Sequence, residues 1–110
     1  MMSDTVIVLD FETTGMSPNL GARPTEIAAV RVDKGQIVDR YQSLMYAGVY
    51  LPSFITELTG ITNAMVRDAP GIDRVMRELH AFFEGHPIVA HNASFDRKFL
   101  EAEVSRLQPL

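Results

Sequence analysis

Two carboxylates two residues apart, Asp10 and Glu12, close an apolar run, Val6-Ile7-Val8-Leu9. On an extended strand such residues project to one face, with Cα atoms roughly 6–7 Å apart. Two acids on one face repel each other, and burial disfavours the charged form of each. A hard divalent cation relieves both penalties, because carboxylate oxygens suit Mg²⁺ and Mn²⁺. The alternative is a pair of solvated acids at a strand end, and the pair alone weighs the two readings evenly. Thr13-Thr14-Gly15 follows directly. It offers two hydroxyls and a backbone without a Cβ, where a phosphate or nucleotide can approach closely.

A third carboxylate, Asp96, falls in the first turn of a helical segment, four residues before Leu100 and eight before Val104. It therefore shares an apolar stripe that should face a sheet. A carboxylate there is costly unless paired or metal-bound. An acid in a first helical turn is also stabilised by the helix N-terminus, by about 0.3–1 kcal/mol. Asp96 alone does not separate ligation from that simpler role.

The elements that must position these acids can be read from patterning. Residues 5–10 form a short, nearly continuous apolar run rich in β-branched residues, which predicts a central strand buried on both faces. Strands are expected over about 26–32 and 36–46, joined by Asp33-Lys34-Gly35 as an antiparallel hairpin. Phe54, Ile55 and Leu58 suggest a short helix closed by Gly60, and Asn63 to Val66 a turn. Ile72, Val75, Met76, Leu79, Phe82 and Phe83 recur at helical spacing, ending at Gly85 and Pro87. Residues 87–91 form a further buried strand. Asn92 is placed to accept an orphan N–H as the cap of a helix over about 93–107, which presents Phe95, Phe99, Leu100 and Val104. This order of elements indicates an α/β fold with a mixed sheet and one domain over residues 1–110.

Composition restricts the partners. The 110 residues are 46% hydrophobic and 22% charged, the balance of a folded domain. Net charge is −4 and the pI is near 5.2, which disfavours a duplex-gripping module with a basic face. An enzyme that holds only a strand end, with metal ions against the phosphate, fits that charge. Absence of cysteine excludes disulfides and thiolate metal sites and fits a cytoplasmic setting. The N-terminal residues lack a secretion signal, and no apolar run approaches the ~20 residues that span a membrane.

Val8-Leu9-Asp10-Phe11-Glu12-Thr13-Thr14-Gly15 closely resembles the first motif of the proofreading-type DEDD 3′–5′ exonucleases, the group similar to the epsilon subunit of bacterial DNA polymerase III. His91-Asn92-Ala93-Ser94-Phe95-Asp96 resembles their second motif, and Leu58-Thr59-Gly60-Ile61-Thr62 a segment between the two. The likeness covers nearly the whole chain in the right order. It implies a ribonuclease-H-like mixed sheet flanked by helices and hydrolysis of terminal phosphodiesters at single-stranded DNA ends, in proofreading or repair.

On that resemblance Asp10, Glu12 and Asp96 match three of the family's four metal-binding acids, with two Mg²⁺ or Mn²⁺ ions in the complete site. Thr13 and Thr14 lie beside the bound end; Leu58 and Thr59 border the terminal sugar or base. Phe95 is more readily a core residue than a base contact. An RNA 3′ end and a polymerase subunit are the other partners implied, and a catalytically incomplete binding or polymerase-associated module is the alternative function. The family's third motif supplies a general-base histidine and a fourth carboxylate on a later helix. Neither occurs after Asp96, which leads us to expect the N-terminal part of a longer domain, truncated after the second motif. His91 reads as a strand-end structural residue, and His80 and His86 as surface residues. An uncovered strand edge at Val89 and apolar surface on the last helix would follow, with self-association as one way to cover them.

Overall fold

The computed structural model describes residues 4–90 and 92–107. The β-branched run begins β1, Thr5–Thr13. It extends three residues past the expected end because Phe11, Glu12 and Thr13 continue to pair with Ile27, Glu26 and Pro24 of β2. Asp10 and Glu12 thus sit within the paired strand. β2 (Pro24–Asp33) and β3 (Gln36–Leu44) form the expected hairpin. Its turn places Lys34 at φ 51° and Gly35 at φ 80°. Two successive left-handed residues give a connection whose twist matches that of paired strands. Short of the expected end, Tyr46 leaves β3 and bridges to Gly71 instead.

β4, Ile88–Ala90, pairs parallel with β1, and the sheet order is β3-β2-β1-β4. The sheet is mixed and β1 is internal, as expected. Burial on both faces does not hold. Ile7, Leu9, Phe11 and Thr13 are buried, whereas Val6 and Val8 are partly covered and Asp10 is exposed. The cause is one-sided packing. Ile72, Val75, Met76, Leu79 and Phe83 of α3 (Ile72–Phe83), with Phe99 of α4 (Ala93–Arg106), join Ile7, Leu9, Phe11 and Ile27 in one core.

α1 (Ser53–Thr59) ends at Gly60, φ 78°, as the sequence pattern indicates. The segment expected as a turn is a short helix, α2 (Asn63–Arg67), begun by the Thr62 hydroxyl, which accepts the Met65 N–H at 3.1 Å. Leu51, Ile55, Ile61 and Val66 form a second, small cluster beneath these helices. β4 is one of the two edge strands of the sheet among the described residues, β3 being the other. Ile88 and Val89 are exposed there, so the strand expected to be buried is not, because nothing among the described residues covers its outer side. The open edge expected at Val89 and the apolar surface of α4 at Val104 are present. No helix among the described residues is long and apolar enough to cross a membrane.

One capping assignment fails. Asn92 occupies the N-cap position of α4, but its side chain makes no capping bond. Its backbone N–H instead donates to Asp96 Oδ2 at 2.9 Å. The acid four residues on supplies the acceptor, so the helix start is closed from inside.

Candidate active site

Side chains alternate along β1, so Asp10 and Glu12 share the face turned away from the core. Asp10 lies opposite Ala28 of β2, and Glu12 lies opposite Glu26. Directly opposed like charges destabilise a sheet pair. Gln42 on β3 donates to Glu26 Oε2 at 3.0 Å, which orients Glu26 without neutralising it. The Glu12 carboxyl is held above its ordinary range by partial burial first, and then by the charges of Asp10, Glu26 and Asp96. All four influences favour the protonated form, and a divalent cation would oppose each.

Asp96 reaches this strand from α4 and is fully buried. Its Oδ1 accepts the Phe11 N–H at 3.0 Å, and its Oδ2 accepts the Asn92 N–H at 2.9 Å. The Phe11 amide stands between Asp10 and Glu12 in sequence. One carboxylate therefore ties the strand bearing the acid pair to the start of the last helix. Each oxygen keeps a second lone pair beyond its amide bond. Among the described residues, no three acidic or histidine side chains form a closed cation cage. Asp10 and Glu12 share one strand face, and Asp96 lies behind that strand, bonded to the amide between them. Oxygen donors of this kind suit hard divalent cations.

The turn after Glu12 is tightly tied. The Thr13 hydroxyl donates to the Gly15 carbonyl at 2.6 Å. The Thr14 N–H donates to the Arg23 carbonyl at 2.9 Å, and the Arg23 N–H returns a bond to Thr14 Oγ1 at 2.9 Å. Both threonine hydroxyls thus have partners within the chain. A Cβ on Gly15 would lie 3.3 Å from Ala22 Cβ, so the loop's close return requires glycine or an outward shift.

Beside Glu12 opens a hollow of about 270 Å³ whose walls include Glu12, Thr13, Gly15, Met16, Phe54, Leu58, Thr59 and Phe95. Met16, Phe54 and Leu58 are 77%, 60% and 78% exposed. Three large apolar side chains left in solvent around an acidic floor mark a binding surface better than any one alone. A larger hollow, about 380 Å³, runs between β4 and α4; Asp96 borders it, but Asp10, Glu12 and the turn do not.

Of the residues singled out from sequence, Glu12, Thr13, Leu58, Thr59 and Phe95 meet at the smaller hollow, and Phe95 also stacks on Phe99 at 5.0 Å. Thr14 faces the neighbouring depression lined by Leu20 and Tyr50. His91 lies outside the described residues. His80 is exposed and meets Phe83 edge-on; His86 is half-buried. Sequence reasoning passed over Glu26, Met16, Phe54, Arg23 and Glu103. The exposed Phe54 carried a signal: it neighbours Ile55 on a two-turn helix, and both cannot face inward.

The exonuclease family model matches residues 7–109. The chain belongs to that family. Within it, the two motifs and the mixed sheet are those of the DEDD 3′–5′ exonucleases of the ribonuclease-H-like superfamily. The exonuclease domain is 45% identical over 98 residues to a DNA polymerase III subunit epsilon-like protein of Rhodobacter capsulatus, covering 87% of this chain and 14% of that protein. It is 41% identical over 101 residues to the PolC-type DNA polymerase III of Caldanaerobacter subterraneus subsp. tengcongensis, covering 92% and 7%. In fold it matches E. coli exonuclease I, solved in complex with a dA16 oligonucleotide. The TM-score is 0.81 at 21% identity, over 94% of this chain and 24% of that one. The chain thus spans a small fraction of the length of the proteins it matches.

Proposed function

We propose that this domain removes nucleotides from the 3′ ends of single-stranded DNA by metal-dependent hydrolysis. One observation carries the reading: Glu12, whose charge is disfavoured by burial and by its acidic neighbours, forms one wall of an apolar hollow sized for a nucleoside. Asp10, Glu12 and Asp96 would hold two Mg²⁺ or Mn²⁺ ions, which supply neutralisation of the phosphate charge and a water of lowered pKa.

The chain's own groups bind and orient. Phe54, Leu58 and Met16 take the terminal base and sugar against apolar surface, with Thr13 and Thr59 on the rim. Thr14 holds the turn that forms one side of the hollow. Asp96, through the Phe11 amide, keeps Asp10 and Glu12 at a constant height above α4. A net charge of −4 leaves little electrostatic grip on a long strand, which suits an enzyme engaging only an end. Similarity to polymerase III proteins supports action beside a polymerase in the cytoplasm, in proofreading or repair.

A second reading is a binding or polymerase-associated module of the same family. It is favoured by one observation: both carboxylate oxygens of Asp96 already accept backbone amides, from Phe11 and Asn92, which is a structural role in itself. End-labelled single strands of DNA and of RNA, incubated with and without Mn²⁺, decide between them. The nuclease reading expects stepwise, Mn²⁺-dependent shortening from the 3′ end, faster on DNA, and its loss in Asp10→Ala with the fold retained by circular dichroism. Binding without shortening supports the module, faster loss from RNA assigns the substrate to RNA, and undiminished turnover in Asp10→Ala removes that residue from the site.

A further inference from the structure

A buried ion pair, Arg23 with Glu103, has no place in the chemistry above. Glu103, 2% exposed in the interior-facing side of α4, accepts from Arg23 Nε at 2.7 Å and from the same guanidinium's Nη2 at 2.8 Å. Arg106, one turn along, stands 3.6 Å from Glu103 Oε2 on the more exposed side. A two-pronged guanidinium–carboxylate contact fixes direction as well as distance. Arg23 is also the residue whose backbone N–H and carbonyl both bond Thr14. Three links therefore run in series from α4: Glu103 to the Arg23 guanidinium, the Arg23 backbone to Thr14, and Thr14 into Gly15 and Met16. Those last two residues form a partition. Gly15 and Met16 line both the hollow beside Glu12 and the neighbouring depression that contains Leu20 and Tyr50.

We propose that Arg23 and Glu103 are a positioning pair that holds the Thr14–Met16 partition at the depth needed to receive the terminal nucleotide. The pair touches neither hollow, and it acts through the Arg23 backbone on the Thr14 N–H and hydroxyl. Lys at position 23 keeps the charge but offers a single point contact, so it restores the hold only in part. The affinity consequence rests on the proposed nuclease reading, whereas the effect on the turn does not.

Arg23→Gln or Glu103→Gln alone leaves a buried partner poorly paired and can unfold the chain. The test therefore centres on the double variant Arg23→Met/Glu103→Leu, since apolar replacement of a buried pair commonly preserves stability. Amide hydrogen exchange is read at Thr14, with Ile7 and Leu9 as internal references. Affinity for 5′-fluorescein dT4 is read by anisotropy in Ca²⁺, an oxygen-seeking cation used in place of Mg²⁺ so that the probe is not consumed. We expect the double variant to melt within a few degrees of the parent, exchange Thr14 at least about tenfold faster with the references unchanged, and bind dT4 about tenfold more weakly. Arg23→Lys should fall between.

Thr14 protection equal to the parent's in the double variant overturns the proposal. So does faster exchange shared equally by Ile7 and Leu9, which would mark the pair as a general fold stabiliser. Faster Thr14 exchange with unchanged dT4 affinity overturns the positioning role. If the parent itself does not bind dT4, the nuclease reading fails, and Thr14 exchange alone then judges the hold on the turn.

Discussion

Two sets of carboxylates differ sharply in how their charge is met. On α4, Asp96 and Glu103 are both buried, and each is compensated by geometry suited to it: two backbone amides for Asp96, a guanidinium fork for Glu103. On β1 and β2, Glu12 meets partial burial and the like charges of Asp10, Glu26 and Asp96. A fold that completes two deeply buried acids has the means to complete a shallower one. Under the proposed function, an external cation would relieve the charge that Glu12 meets there.

The largest break in this contrast comes from the compensated side. Glu103→Ala leaves the Arg23 guanidinium, 14% exposed, without its partner, and we expect a loss of about 3 kcal/mol in urea denaturation. A loss under about 0.5 kcal/mol would mean that Arg106 or water replaces Glu103 fully.

The sharpest version applies one chemical change to both sides. Asp96→Asn turns an acceptor oxygen into a donor facing an amide N–H, with an expected cost of about 2 kcal/mol. Glu12→Gln removes a charge held among like charges. Without metal it should stabilise the fold by less than about 1 kcal/mol, since Glu12 remains in contact with solvent. Equal signs for the two variants would erase the distinction.

The pH dependence follows with its sign. Glu12 is raised in the folded state, so the native protein holds that proton to higher pH than the unfolded chain does. Stability from this group is present at low pH and declines as pH rises from the ordinary glutamate range through the raised folded value. A metal-free thermal-melt series should show that decline in the parent and a flatter profile in Glu12→Gln. Added Mn²⁺ should raise the parent's Tm more at pH 7 than at pH 4.5, because cation and proton compete for the same carboxylates. The smallest effect on stability belongs to Phe54→Ala. At 60% exposure it should change unfolding free energy by no more than about 0.5 kcal/mol, while weakening single-strand binding several-fold by anisotropy.

Local chemistry made much of the fold legible. The hairpin turn, the span of α3 and the Gly60 stop of α1 each rest on residues adjacent in sequence. The acid pair and Asp96 stood out because a carboxylate beside apolar neighbours is conspicuous without any tertiary knowledge. Glu26 did not, because its opposition to Glu12 depends on the β1–β2 register, which no single segment encodes. Arg23 and Glu103 are eighty positions apart, and a charged residue on a helix is ordinarily solvated. Asn92 misled because the residue type suits a cap, while the actual acceptor sits four positions later. The early end assigned to β1 came from following the apolar run, which stops at Asp10, although pairing with β2 continues to Thr13.

The bond from the Phe11 amide to Asp96 has a consequence for assembly in time. It closes a loop of 85 positions, so on a chain emerging from synthesis the amide between the two strand acids lacks this acceptor until most of the domain exists. Contacts of such separation are slow to form because chain entropy is lost before they are made. The β2–β3 hairpin can pair early, but the arrangement of Asp10 and Glu12 becomes final only when α4 docks. A nascent chain arrested before residue 96 would carry both acids of the first motif without the contact that sets their height, and the site would be among the last parts of the domain to mature.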